Sequence, residues 1–194
     1  QSRVAGMLSG KFGKAIIHVG GIKTGLELLR QAVSIGDISP HQMLPTHISR
    51  TSQTLDEGKE WILTYGGFID FTAGEQAIEA INCLLQDHVP AEKILCSSDG
   101  WGSMPVFDEN GNFVSVKTAP VDTLYKGFIN LVTQKGHSIE TVLKLFTSNV
   151  SDFFGISKEG YGYLREGGIA SFVLADQDLK IKETFSQGER VFSS

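Results

Sequence analysis

The chain has 194 residues, 41% hydrophobic and 20% charged, which is room for one domain or two small ones and excludes a disordered or low-complexity chain. Seventeen basic against 22 acidic residues give a net charge of -5 with no basic block, which argues against nucleic acid or an anionic membrane surface as a partner. No apolar run approaches the roughly 18 residues of a membrane span, and the opening Gln1-Ser-Arg-Val-Ala-Gly6 does not read as a signal peptide. Cys83 and Cys96 are spaced neither as a metal clip nor as a redox pair, so they read as free thiols of a reducing compartment, the cytoplasm. The first residue is Gln rather than Met, so the chain is expected not to begin where its gene begins.

Four short apolar segments punctuate the first hundred residues: Ala15–His18, Met43–His47, Gly67–Phe71 and Ile94–Asp99. All four are predicted as buried strands of a parallel sheet, where both faces are covered. Pro45 removes a ladder donor, which places it at a bulge or near a strand end. Between the strands lie helical patterns, each opened by a Thr with Glu three residues on: Thr24/Glu27, Thr54/Glu57 and Thr72/Glu75. Such pairs predict capping boxes, which satisfy free backbone N–H groups at a helix start. Gly36 and the Gly66-Gly67 pair are the expected stops of the first two helices. The alternation β-α-β-α-β-α-β indicates an α/β fold.

Beyond Asp99 the rhythm changes. Asp108-Glu-Asn-Gly-Asn112 lacks Gly at the sixth position of a calcium loop and is predicted as a hairpin turn. Helices are expected near 121–134 and 139–154, ended by Gly155 and Gly160. Residues 169–174 read as a strand, and 181–192 alternate around Gly188. The reading divides the chain into 1–155 and a β segment at 156–194.

Spacing carries the chemistry. His18 and His47 are 29 residues apart, and His47 and Asp99 are 52 apart, two steps of 26. One βα unit of an eightfold barrel takes about 31 residues. The three residues therefore fit the ends of strands one, two and four of a consecutive set, where side chains point into one mouth. Two imidazoles and a carboxylate there suit a divalent metal such as zinc, and the carboxylate is placed to take the proton of an activated water. Each alone has a plainer reading: a satisfied polar group at a strand end for either His, a turn or cap for Asp99. Asp70 ends the third strand and could face the same mouth. Arg50, three residues past His47, could clamp a substrate carboxylate, and Trp101 falls in a loop at the mouth. His41, His88 and His137 end no strand and read as surface or capping residues. Trp61 reads as packing on a helix face.

His18-Val-Gly-Gly, Leu44-Pro-Thr-His-Ile-Ser-Arg50, Gly66-Gly-Phe-Ile-Asp-Phe and Ser97-Ser-Asp-Gly-Trp-Gly-Ser103 occur in this order, followed by Phe107-Asp-Glu-Asn-Gly-Asn112. Over nearly the whole chain this resembles the isoaspartyl (β-aspartyl) dipeptidases of the amidohydrolase superfamily. Leu145–Gly155 and Gly168–Asp176 look like the general ending of that superfamily. The resemblance implies a zinc-dependent enzyme that hydrolyses the bond between an aspartyl β-carboxyl and the next amino acid. It implies that His18 and His47 hold one of two zinc ions, although another divalent metal is possible. Asp99 would ligate the other and act as general base and then general acid. Arg50 and Ser103 would hold the carboxylate end of the isoaspartyl dipeptide.

The same resemblance exposes departures. Such enzymes carry a His-x-His pair at the first barrel strand and a carboxylated Lys from the fourth. The histidines here, at 18, 41, 47, 88 and 137, include no such pair. The chain is therefore expected to be the second half of a (β/α)8 barrel, of TIM type, with the C-terminal part of a small β-sandwich. Its partners would be the missing N-terminal half or a second chain, with self-association into a homo-oligomer expected and no nucleic acid or membrane. Two alternatives stay open: another amidohydrolase acting on cyclic amides, and an inactive fragment with a structural or assembly role.

Overall fold

The computed structural model describes residues 1–36 and 38–194, and its architecture is α/β. Helix α1 (Ser2–Ser9) opens the chain. Strands β1 (Ala15–His18), β2 (Met43–Thr46), β3 (Ile69–Thr72) and β4 (Ile94–Ser97) alternate with α2 (Glu27–Ile35), α3 (Ser52–Tyr65) and α4 (Glu75–Gln86). The strands pair in parallel as predicted, β1 with β2 and β3 with β4. They do not form one continuous ladder, because β2 and β3 lie in separate two-stranded sheets. Pro45 supplies a reason. The Thr46 carbonyl accepts from the Val19 N–H at 3.2 Å, so Thr46 faces β1. Successive residues of a strand direct their amide groups to opposite sides, so Pro45 faces β3 and has no N–H to offer. It pairs in register with Ile17, without a bulge.

The expectation that all four strands are buried fails at β1. Burial alternates along it, and Ile16 is 53% exposed. The other three strands bury nearly every residue. The core joins β3 and β4 to the helices through Trp61, Ile69, Phe71, Ile81 and Ile94, all fully buried.

Helix starts also differ from the capping-box expectations. At α2 the side-chain cap from Thr24 is absent. The Leu26 N–H instead donates to Glu57 on α3, at 2.5 Å. Helix α3 begins three residues early, with Thr51 as the cap and Thr54 completing the box. Gly74 caps α4 without a side-chain bond, and the Thr72 hydroxyl is turned elsewhere. The predicted stops hold at Gly36 and at Gly66, the latter in the left-handed conformation.

Residues 108–112 form the predicted turn, in which Asp108 Oδ1 accepts from the N–H groups of Asn110 and Asn112. The turn joins β5 (Ser103–Phe107) to β6 (Phe113–Thr118). Helix α5 (Thr123–Thr133) follows. The single helix expected at 139–154 is two, α6 (Ile139–Phe146) and α7 (Ser148–Phe154), broken at Thr147, whose φ of -132° is not helical. The Thr147 hydroxyl bonds back to the Leu143 carbonyl, the competition with backbone that makes Thr a poor helix interior residue. The chain ends in a three-stranded antiparallel sheet of β7 (Phe172–Ala175), β8 (Ile181–Ser186) and β9 (Glu189–Ser193). Tyr125 of α5 reaches towards it and donates to the Leu179 carbonyl at 2.6 Å. Among the described residues, no helix is long and apolar enough to cross a membrane.

Candidate active site

A cleft of about 440 Å³ opens at the strand ends, bordered among others by Ile16, His18, His47, Asp70, Ser97 and Asp99. Alternation along each strand explains the lining. Ile16 and His18 share one face of β1, Leu44 and Thr46 the matching face of β2, and Leu95 and Ser97 that of β4. The apolar member of each pair floors the cleft, where Leu44 and Leu95 pack on Phe153 of α7. The polar members and the residues just beyond them stand at the mouth.

His47 follows β2 directly. Its backbone is left-handed, at φ 67°, which turns the chain sharply into a short 3-10 turn at Ile48–Arg50. The ring is buried and held at both ends. Nδ1 lies 2.6 Å from the Thr72 hydroxyl, and Nε2 lies 2.9 Å from Nδ1 of His18. His18 itself is exposed. The two rings meet edge to face, with centroids 4.8 Å apart. Burial lowers the His47 pKa, the nearby charges of Arg50 and His18 lower it further, and Asp99 opposes them.

Asp99 follows β4 and also takes a left-handed backbone, at φ 49°. The Gly102 N–H donates to its carbonyl at 2.9 Å, and Trp101 and Gly102 are bonded to Ala119 at the end of β6. A Cβ at position 102 would stand 2.7 Å from the Asp99 carbonyl oxygen, so this turn requires glycine. The β5–β6 hairpin thus begins at the cleft and is anchored to it.

Asp70 lies beneath these groups, 5% exposed. Its Oδ2 accepts from Thr46 Oγ1 at 2.5 Å and from Ser97 Oγ at 2.8 Å. Burial raises its pKa to about 6, against the pull of the two hydroxyls.

The structure therefore brings His18, His47, Asp99 and Asp70 to one cleft. Arg50 is exposed beside His47, close enough to influence its charge, but does not line the cleft. Ser103 opens β5, exposed, and does not line it either. Trp101 is 79% exposed beside the mouth. His41 and His88 are on the surface, and His137 pairs with Asn82 at 2.8 Å, away from the cleft. Trp61 is buried and stacks on Tyr65. Sequence reasoning missed Thr46, Thr72 and Ser97. Thr46 and Ser97 carried a signal, since each is the last strand residue on the cleft face before a proposed ligand.

Zinc binds imidazole nitrogens at about 2.0–2.1 Å, so two such donors at a tetrahedral angle stand about 3.3 Å apart. The observed 2.9 Å is a few tenths shorter, a gap that small ring movements close. The pair therefore fits two donors of one ion. It is not a complete set: among the described residues, no three His, Cys, Asp or Glu side chains gather closely enough to hold a metal.

No family model matches the chain. Among solved structures, the β-aspartyl dipeptidase of the thermophilic, keratin-degrading Fervidobacterium islandicum AW-1, in complex with β-Asp-Leu dipeptide, is 34% identical, with a TM-score of 0.88 over 98% of this chain and 51% of that one. A second structure of the β-aspartyl dipeptidase from that organism is 30% identical, with a TM-score of 0.82 over 99% and 49%. An amidohydrolase from Thermotoga maritima MSB8, at 16% identity and a TM-score of 0.60 over 99% and 46%, shares the fold. The chain spans about half the length of these relatives. Over nearly its whole length, the chain is thus similar in sequence and structure to half of a β-aspartyl dipeptidase.

Proposed function

We propose that this chain supplies the C-terminal half of a metal-dependent hydrolase of β-aspartyl dipeptides. In this reading residues 1–155 form the later strands and helices of a (β/α)8 barrel, and 156–194 form part of a β-sandwich. The observation that carries it is the pair of imidazole nitrogens of His18 and His47, facing each other at the ends of adjacent parallel strands. The similarity to a β-aspartyl dipeptidase supports the choice of substrate.

His18 and His47 would hold one zinc ion, and Asp99 would contribute to a second. Zinc bound there supplies polarisation of the scissile carbonyl and an acidified water. Asp99 takes the proton from the attacking water and delivers it to the leaving amine, so that one carboxylate serves as base and then acid. Arg50 binds the terminal carboxylate of the dipeptide through its planar fork, and Ser103 donates a hydroxyl to the same group. Both lie outside the cleft lining and must close onto the substrate from its rim. The remaining metal donors come from another polypeptide segment, either a preceding half or a second chain in a homo-oligomer. The thiols of Cys83 and Cys96, both free, suit a reducing cytoplasm.

The test has two arms. Titration of the chain with Co²⁺ should give visible absorption that His18→Ala and His47→Ala both abolish. Binding untouched by both substitutions would overturn the metal assignment. In the assembly that completes the donor set, leucine release from β-Asp-Leu should vanish in Asp99→Ala. KM should rise steeply in Arg50→Ala, without rescue by Arg50→Lys. An unchanged kcat/KM in Arg50→Ala would remove Arg50 from the site.

A further inference from the structure

Asp70 is the most buried charged group at the cleft, and the proposed reaction gives it no step. Its connections span three strands. Thr46 on β2 and Ser97 on β4 both donate to the same oxygen of this β3 carboxylate. That matters because β2 and β3 share no backbone ladder. Where the ladder is missing, the Thr46–Asp70 bond is a polar link from the last residue of β2 to the second residue of β3, a strand that runs on to Thr72. The two donors are well placed: Thr46 immediately precedes His47, and Ser97 stands two residues before Asp99. A further β3 hydroxyl, that of Thr72, reaches back across the same gap to His47 Nδ1.

We infer that Asp70 is a positioning residue: its carboxylate replaces the missing ladder and fixes the strand ends that carry His47 and Asp99. It acts through Thr46 and Ser97 and touches neither substrate nor metal. The inference rests on the reading of His47 and Asp99 as site residues. The chemistry explains the choice of residue. An ionised carboxylate is acceptor-only and takes two hydroxyl donors on one oxygen as charge-assisted bonds, about twice as strong as neutral ones. An amide of the same shape keeps one acceptor oxygen without the charge. A leucine keeps the branched skeleton, with bulkier methyl groups, and no acceptor. Burying a carboxylate opposes stability unless it is bonded, so a hydrophobic residue would serve a purely structural role better.

The experiment uses the full chain, labelled with ¹⁵N, and long-range ¹H–¹⁵N spectra of its histidine rings. These report ring tautomer and exchange without any need for turnover. The wild type should show one fixed tautomer for His47. Thr46→Val and Asp70→Leu should replace it with an exchanging average, and Asp70→Asn should lie between. The rings of His88 and His137 should not change. Co²⁺ affinity should fall by about 10- to 100-fold in Thr46→Val, the usual cost of losing an outer-sphere partner, and Thr46→Ser should restore it. Should Asp70→Leu fail to fold, the Thr46→Val and Thr46→Ser pair still decides. A lower melting temperature in Thr46→Val, with His47 signals and Co²⁺ affinity unchanged, would overturn the inference. Absence of Co²⁺ binding in the wild type would instead defeat the proposed function, and the ring spectra would still judge the positioning role on their own.

Discussion

In β2, β3 and β4 every apolar residue is buried, from Met43 and Leu44 through Ile69 and Phe71 to Ile94 and Leu95. The antiparallel pieces do the reverse. The β5–β6 hairpin exposes Met104, Phe107, Phe113, Val114 and Val116, and the terminal sheet exposes Val173, Leu174, Val191 and Phe192. Parallel sheets are usually covered on both faces, whereas antiparallel hairpins commonly leave one face open. Strand β1 stands between the two: it is parallel, yet Ile16 and His18 are exposed. The candidate site is split in the same way. His47 and Asp70 rest on the buried strands and are held by hydroxyls, whereas His18 projects from the open one with His47 as its ring partner.

The largest test of this contrast is truncation in each region. Phe71→Ala, at a fully buried position of β3, should destabilise by about 3–5 kcal/mol in urea unfolding. Phe113→Ala in the hairpin, 61% exposed, should cost less than about 1 kcal/mol. Equal losses would break the distinction.

Next comes pH. The Asp70 pKa, raised to about 6 chiefly by burial, means that the folded chain holds a proton there in a range where the unfolded chain, with an ordinary value of 3.8, has released it. Stability from this group is therefore greatest below about pH 4 and declines as pH rises to about 6, by about 3 kcal/mol in total. The Asp99 charge acts in the same direction as burial, while His18 and the hydroxyls of Thr46 and Ser97 oppose it. The profile of Asp70→Asn, subtracted from that of the wild type, should isolate this fall. A difference that is flat across the range would contradict the burial of the charge.

Smaller effects should follow at the start of α2. Glu57 takes the Leu26 N–H and bonds to Gln53 and Arg30, so Glu57→Ala should cost about 1–2 kcal/mol. Burial opposes ionisation of Glu57, but these partners outweigh it and hold its pKa below the ordinary value. Its contribution should be present above that ordinary value and be lost as pH falls. Thr24→Ala should change stability by less than about 0.5 kcal/mol, because α2 has no side-chain cap. Matching losses at Thr24 and Glu57 would reinstate the local cap.

That pair also indicates what the sequence carries. The strand positions, the 108–112 turn and the convergence of His18, His47 and Asp99 follow from apolar runs, turn chemistry and βα spacing. These signals are local or periodic. The cap of α2 comes from a residue 31 positions away from Leu26, and Thr72 serves His47 rather than its own helix. Partners of that kind are set by tertiary packing, and a Thr followed three residues later by Glu is equally compatible with either use. Exposure of β1 was likewise illegible, because an apolar run has the same composition whether its second face is covered by this chain or another. The break at Thr147 had a visible cause, a Thr-Ser pair inside a helical pattern.

Zinc content and β-Asp-Leu turnover, measured together on the purified 194-residue chain, bear most directly on the half-site account. Catalytic zinc generally takes three protein ligands, and here two imidazoles face one another without a third nearby His, Cys, Asp or Glu donor among the described residues. The expected result is weak zinc binding that requires His18 and His47, with no release of leucine. Two tightly held zinc ions per chain with turnover, in a sample whose intact mass shows a single polypeptide, would contradict it.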